Sequence, residues 1–154
     1  MMKRQNGIYT VEFAIIGVVF FLVLFGVIEI ARALFVWNTI GEVTRRGARV
    51  AAVCPVDDSA IKEIAVFNGS NGDGRSPVLN GLMTSHVIVT YPPADLVATD
   101  GYVRVEVSNY THQLIIPFLP ASVTNLTVPA FSTTLPAESL GRNPDTGVYE
   151  CIAT

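Results

Sequence analysis

The dominant feature of the hydrophobic pattern is an uncharged stretch near the N-terminus. Residues 13–28 contain no charged side chain, and apolar residues predominate as far as Trp37. At about 1.5 Å per residue, residues 13–37 form a helix of roughly 37 Å, which is longer than the ~30 Å hydrocarbon core of a bilayer. The pattern therefore predicts one transmembrane helix, with Trp37 in the interfacial region on the far side.

The helix is expected to continue beyond the membrane as an amphipathic segment. Its first helix-breaking signal is Pro55, and a residue that precedes proline is disfavoured in the α region, so we expect the helix to end near Cys54. Residues at alternating spacings of four and three form one apolar stripe: Val36, Ile40, Val43, Gly47, Val50 and Cys54. The stripe favours packing against the chain's own domain, and a seam for a partner helix is the alternative.

The remainder of the chain begins with signals for a short helix and a loop. Residues 56–59 can cap a helix that reaches about Phe67, and the turn-forming residues 68–77 predict a loop.

Strand patterns follow the loop. Residues 86–91 and 102–108 are predicted strands, the second with valine at alternate positions. A third strand is expected within residues 126–135, where Pro129 restricts part of it to a sheet edge. We expect the apolar segment 114–120 to cover the sheet, with contact to the membrane or to a partner as alternatives. The fold class is therefore α+β: a long N-terminal transmembrane helix continuing into a small antiparallel β-sheet domain.

Composition and charge narrow the classes of function. The formal net charge is only −3, and no basic stripe with interleaved aromatic residues is present, so nucleic acid is not an expected partner. No P-loop, HExxH or GxSxG motif occurs, so we predict no enzyme, no catalytic residue, no metal and no cofactor. His86 is interpreted as a strand residue, and His112 as a surface or turn residue.

The part of the chain after the helix has the composition of an exported domain. It is rich in serine, threonine, asparagine and proline, and the two cysteines of the chain are far apart. In an oxidising compartment this arrangement predicts one disulfide, between Cys54 and Cys151.

Several short segments within residues 6–52 resemble the TadE-like family, the minor pilins or pseudopilins of tight-adherence (Tad, or Flp) pilus systems. They are Gly7 at the end of a short basic leader, VEFA at 11–14, GVIE at 26–29 followed by Arg32, and RRGAR at 45–49. The resemblance covers about a third of the chain. It implies a pilin-like fold and a minor pilin or pseudopilin that takes part in assembly of an adhesive, type IV-like pilus.

The resemblance also implies processing and localisation. A prepilin peptidase would cut between Gly7 and Ile8, which divides the chain into a leader (1–7), a transmembrane and amphipathic helix (8–54) and an exported α+β domain (55–154). The protein would cross the bacterial inner membrane once, with its N-terminus in the cytoplasm and its C-terminal domain in the periplasm or outside the cell. Its partners would be the membrane, the peptidase, other pilin subunits and the Tad assembly machinery.

The resemblance assigns roles in assembly to Glu12, Phe13, Glu29 and Arg32. After cleavage, the Ile8 ammonium and the Glu12 carboxylate lie about one helical turn apart, so Glu12 of one subunit can neutralise the ammonium of another. The alternative is that Glu12 only complements the positive N-terminus of its own helix at headgroup depth. Glu29 and Arg32 are three residues apart on one face and are expected to pair near the far membrane boundary.

A second hypothesis for the function keeps the leader in place. The chain would then be a permanently anchored single-pass envelope protein whose exported domain scaffolds or binds a secretion or adhesion complex. Charge does not decide the orientation of the helix, because Lys3 and Arg4 on one side are opposed by three arginines within residues 45–49 on the other.

Overall fold

The computed structural model describes residues 6–56, 59–69, 72–91, 101–115 and 124–138, together with residues 140, 142, 145 and 147. Helix α1 spans Asn6–Val53, helix α2 spans Ser59–Ala65, and a 3₁₀ turn spans Thr84–His86. The strands are β1 (Val87–Thr90), β2 (Tyr102–Val107), β3 (Thr111–Gln113), β4 (Asn125–Thr127) and β5 (Phe131–Pro136). The predicted α+β fold, a long N-terminal helix followed by a small antiparallel sheet, is confirmed.

Helix α1 runs without interruption for 48 residues, which at 1.5 Å per residue is about 72 Å. The helix ends at Val53, directly before the Cys54–Pro55 step, which is where the sequence predicted its end. One of its terminal carbonyl groups is satisfied by the chain that follows β5. The N–H groups of Glu138 and Leu140 both donate to Ala52 O, at 3.1 and 3.4 Å.

The apolar stripe of α1 packs against the chain's own domain, as predicted. Its members are buried or half-buried against β2, β5 and α2. The helix approaches the domain closely at Gly47, where an added Cβ would lie 3.0 Å from Val105 Cγ1 and 3.1 Å from Ala65 Cβ. Because glycine has no Cβ, the helix can lie directly on the sheet and on α2 at this point. This stripe is therefore not a seam for a partner helix.

The main sheet has the order β1–β2–β5, and both pairs are antiparallel. Alternation along β2 places Val103, Val105 and Val107 in the core and the residues between them toward the other face, as the pattern predicted. A hydroxyl pair at 2.9 Å between Thr44 of α1 and Thr133 of β5 joins helix and sheet within this apolar contact.

The third predicted strand is divided in two. Pro129 lies between β4 and β5, where its missing N–H interrupts the pairing. Strand β5 completes the main sheet, whereas β4 pairs with β3 in a separate two-stranded sheet that the sequence pattern did not predict.

Smaller differences from the predictions occur at the ends of elements. Helix α2 ends at Ala65 rather than near Phe67, which adopts a left-handed φ of 64°. His86 belongs to the 3₁₀ turn instead of β1, because its Nδ1 accepts the Met83 N–H at 3.0 Å. Of the apolar segment 114–120, only Leu114 and Ile115 lie within the described residues, and the Ile115 side chain is exposed.

The predicted loop begins with a buried asparagine. The Asn68 amide donates to Glu63 Oε2 at 2.7 Å and to Asp73 Oδ1 at 2.6 Å. Hydrogen bonds from the Arg75 N–H and from Asn68 lower the pKa of the Asp73 carboxyl. These bonds fasten the described part of the loop to α2.

The close contact at Gly47 predicts that the same substitution destabilises the domain at this glycine but not at Gly41. Gly47→Val should destabilise the domain by about 1–3 kcal/mol, because the added methyl groups overpack a core that has no room for them. Gly41→Val should stay within about 0.5 kcal/mol of the wild type, since a Cβ there meets no heavy atom within 4 Å. Thermal unfolding in detergent, followed by the fluorescence of Trp37, measures both. Equal midpoints for the two variants would contradict the prediction.

Candidate functional site at the membrane boundary of the helix

The first part of α1 stands free of the domain. No residue within 7–28 is buried, and the first buried residue of the helix is Glu29. These 22 residues extend over about 33 Å, close to the thickness of the hydrocarbon core. The described residues contain one helix that is long and apolar enough to cross a membrane, and only 6% of its most apolar window is buried inside the chain. Low burial distinguishes this segment from the core helix of a soluble protein.

Trp37 contacts the domain with one side of its ring. Its ring packs edge-to-face on Phe131 of β5, with ring centroids 5.2 Å apart. Trp37 lies eight residues beyond Glu29, or about 12 Å along the axis. The free apolar segment thus ends at residue 28, where the uncharged stretch ends, and the half-exposed Trp37 contacts the domain beyond it. The place of Trp37 in the interfacial region stays a prediction.

A buried carboxylate lies where the free segment ends. Arg32 Nη1 donates to both carboxylate oxygens of Glu29, at 2.9 and 3.0 Å, which confirms the predicted pair. The Ile115 N–H donates to Glu29 Oε2 at 3.3 Å. The Glu29 side chain is only 8% exposed, so these partners are needed to offset its desolvation.

The prediction that His112 is a surface or turn residue is wrong. It lies on β3 with its side chain 7% exposed, not at the surface, and its Nε2 is 3.4 Å from Glu29 Oε1. Nε2 makes no hydrogen bond to the described residues. The alternation of β3, which buries His112 between two exposed residues, is too short a signal to be found in the sequence.

The other side of Arg32 faces a cleft of about 590 Å³ between α1 and the β3–β4 sheet. Arg32 Nη2 approaches Gln113 O at 3.5 Å. The Tyr110 hydroxyl donates to Asn80 O at 3.0 Å, and burial raises the pKa of this phenol while the charge of Arg32 opposes the rise. The described residues contain no group of three metal-binding side chains.

The remaining predicted site residues lie apart from this cluster. The beginning of α1 contains Gly7, Ile8, Glu12 and Phe13, and all four residues are exposed. Glu12 precedes Glu29 by 17 residues, about 26 Å, so the two carboxylates lie near opposite ends of the free apolar segment.

The predicted cysteine pair is only half within the described residues. Cys54 is buried at the end of α1, whereas Cys151 lies outside the described part of the chain. Their disulfide therefore stays a prediction, which counting the labelled thiols of the unreduced, denatured protein tests.

Comparison with known proteins gives one match, to part of the chain. Residues 7–49 match the family model described as TadE-like protein. Over these residues the N-terminal helix is similar to the TadE-like family. No curated protein and no solved structure matches the chain. The TadE-like match includes the free apolar segment, the Glu29–Arg32 pair and most of the packed stripe, but it ends before β3. The contact of Glu29 with His112 thus joins the TadE-like helix to a part of the chain outside the match.

The geometry predicts that Glu29 fastens the β3–β4 sheet to the helix. Glu29→Leu should leave the Arg32 guanidinium and the Ile115 N–H without their acceptor and cost about 1–3 kcal/mol, less than a fully buried pair because Arg32 is 37% exposed. Glu29→Gln, which keeps an acceptor but no charge, should have an intermediate effect. The measurement is amide hydrogen exchange of β3 and β4 in the detergent-solubilised protein.

Glu42→Leu is the matched control for this experiment. Glu42 contacts Arg45 at 3.7 Å with its side chain 48% exposed, so its removal should change the exchange rates of β3 and β4 very little. If Glu29→Leu left the protection of these amides at the wild-type level, the fastening role of Glu29 would be disproved.

Proposed function

We propose that this chain is a membrane-anchored minor pilin or pseudopilin that takes part in assembly of a Tad (Flp, type IV-like) pilus. The observation that carries the proposal is the free apolar segment with Glu12 near its beginning, within the TadE-like match over residues 7–49. In this role the protein is structural rather than enzymatic, and its partners are other pilin subunits, the Tad machinery and a prepilin peptidase.

The length of the free segment supports an anchor in the inner membrane. Residues 7–28 cover the hydrocarbon core, and the domain begins to contact the helix only at Glu29. With the N-terminus in the cytoplasm, the domain would fold in the periplasm, the compartment in which a Cys54–Cys151 disulfide could form.

The position of Glu12 supports assembly by charge neutralisation. In the precursor, Glu12 is an exposed carboxylate at the start of an apolar helix surface. Removal of the leader would create an ammonium at Ile8, which is costly in lipid without an acidic partner. A neighbouring subunit shifted along the helix axis could supply that partner through its own Glu12.

The proposal predicts cleavage between Gly7 and Ile8. Gly7→Phe should leave the full-length precursor in the membrane, because the bulky side chain obstructs access of the peptidase to the scissile bond. Gly17→Phe is the matched control: it adds the same side chain to the same helix, where a Cβ meets no heavy atom within 4 Å, and cleavage should continue. Mass spectrometry of the membrane fraction measures both.

An intact leader on the wild-type protein in piliated cells would contradict the pilin role. That outcome would favour the permanently anchored single-pass protein, whose domain scaffolds or binds a secretion or adhesion complex.

The second prediction concerns Glu12. Glu12→Leu should insert into the membrane at least as well as the wild type, because it removes a charge from an apolar helix. Leader removal should continue, but pilus formation should fall, since the Ile8 ammonium has lost its acidic partner. Glu12→Asp should be intermediate, because the charge is kept and the reach is shorter.

Membrane level, leader removal and pilus number are measured separately for each Glu12 variant. Normal piliation with Glu12→Leu as the only copy would show that Glu12 serves only the N-terminus of its own helix.

A further inference from the structure

The cleft between α1 and the β3–β4 sheet lies at the level of the lipid head groups. The head-group layer of a bilayer is about 5–8 Å thick on each side of the hydrocarbon core. Arg32 follows residue 28, the last residue of the free segment, by four positions, or about 6 Å along the axis. With residues 7–28 in the hydrocarbon core, the end of the cleft that Arg32 lines therefore lies in this layer.

Arg32 gives the cleft a positive group that is only partly used. The described residues that line the cleft include Arg32 and neither aspartate nor glutamate. Arg32 Nη1 is bound to Glu29, but Nη2 approaches Gln113 O only at 3.5 Å, which is too long for a good hydrogen bond. The Arg32 side chain also stays 37% exposed. One edge of the guanidinium is therefore left to donate to an anion.

Neutral hydrogen-bonding groups line the same cleft. Thr111 and Gln113 of β3 and Asn125 of β4 are exposed there. A hydroxyl and two amides can donate to phosphate oxygens and can also bind the hydroxyl groups of a head group. Because Glu29 offsets much of the Arg32 charge, this set suits a phosphodiester, with its single negative charge, better than a dianion. The volume of about 590 Å³ is within the range of small-molecule sites.

An exposed apolar side chain lies at the membrane end of the cleft. The Ile115 N–H donates to Glu29 Oε2 at 3.3 Å, which holds Ile115 at the level of the first residue beyond the free segment. Its side chain lines the cleft and is 68% exposed. At this depth Ile115 can contact the acyl chains of a lipid whose head group occupies the cleft. A soluble phosphate ester would make no use of this contact.

We propose that the cleft beside Arg32 binds the phosphodiester head group of a phospholipid from the leaflet next to the domain. Arg32 and the neutral donors of β3 and β4 hold the phosphate, and Ile115 contacts the acyl chains. The proposal rests on the membrane anchor of the proposed function and adds a ligand to it. It requires neither leader removal nor Glu12.

The test counts the phosphatidylglycerol molecules bound to the full chain by native mass spectrometry from micelles of an uncharged detergent. Asn125→Asp places a carboxylate in the cleft without altering the Glu29–Arg32 pair, and it should weaken the tightest binding about tenfold because like charges then face each other. Asn38→Asp is the matched control. It makes the same change at an exposed position of α1 that does not line the cleft, and it should bind as the wild type does.

Arg32→Lys tests the guanidinium itself. Lysine keeps a positive partner for Glu29 but has no second donor edge to offer the cleft, so binding should again fall about tenfold. Amide hydrogen exchange of β3 and β4 in the lipid-free variant checks that the sheet stays attached to the helix. In the wild type, bound phosphatidylglycerol should slow the exchange of these amides, which locates the lipid in the cleft.

Two further ligands distinguish the parts of the lipid. Phosphatidylglycerol should bind more tightly than diacylglycerol with the same chains, which lacks the phosphodiester, and more tightly than glycerophosphoglycerol, which lacks the chains. Equal binding by Asn125→Asp and Asn38→Asp, or equal binding of diacylglycerol, would overturn the proposal. Equal binding of glycerophosphoglycerol would also overturn it, in favour of a soluble phosphate ester.

The outcome is independent of the Gly7 and Glu12 experiments, because the assay uses neither pili nor cleavage. A chain that is found in the membrane fraction but binds no phosphatidylglycerol in micelles would overturn the lipid site and leave the proposed anchor intact.

Discussion

One unbroken helix has to satisfy two different surroundings, and the rest of the structure follows from this constraint. Up to residue 28 every side of α1 is available to lipid, whereas from Glu29 onward one face is the core of the domain. A helix in lipid needs apolar residues all round, while a helix on a sheet needs only a stripe. The change from one pattern to the other happens within about one turn, and the Glu29–Arg32 pair lies there.

The cluster around Glu29 fixes the position on the helix at which this change occurs. A carboxylate at this position is costly both in lipid and in an apolar core, so it is tolerated only with donors around it. Two of the groups around it come from β3 and the residues just after it, more than eighty positions away in the sequence. The cluster therefore fixes the β3–β4 sheet at one position along the helix axis. Replacing the cluster with apolar side chains would no longer fix the β3–β4 sheet at one position along the helix, although the helix itself would remain.

Periodicity explains which parts of the fold could be predicted. The stripe from Val36 to Cys54 and the valines of β2 repeat often enough to reveal both the element and its buried face. The β3–β4 sheet could not be found in this way, because strands of three residues carry no repeating pattern. For the site, spacing along one helix predicted the Glu29–Arg32 pair. The contact with His112 depends on how the chain returns to the helix, which no local pattern encodes.

The lengthwise packing of the domain on α1 has a mechanical consequence. The domain contacts the helix from Glu29 to Ala52, where the chain after β5 bonds to the Ala52 carbonyl. This overlap extends over about 35 Å, parallel to the direction in which a tether through the helix would pull. Tension along the axis would load the contacts at Glu29, Gly47 and Ala52 together, in shear, and would not peel them apart one after another. A domain attached by its edge alone would yield at the first contact, whereas this one shares the load over nearly half of the helix.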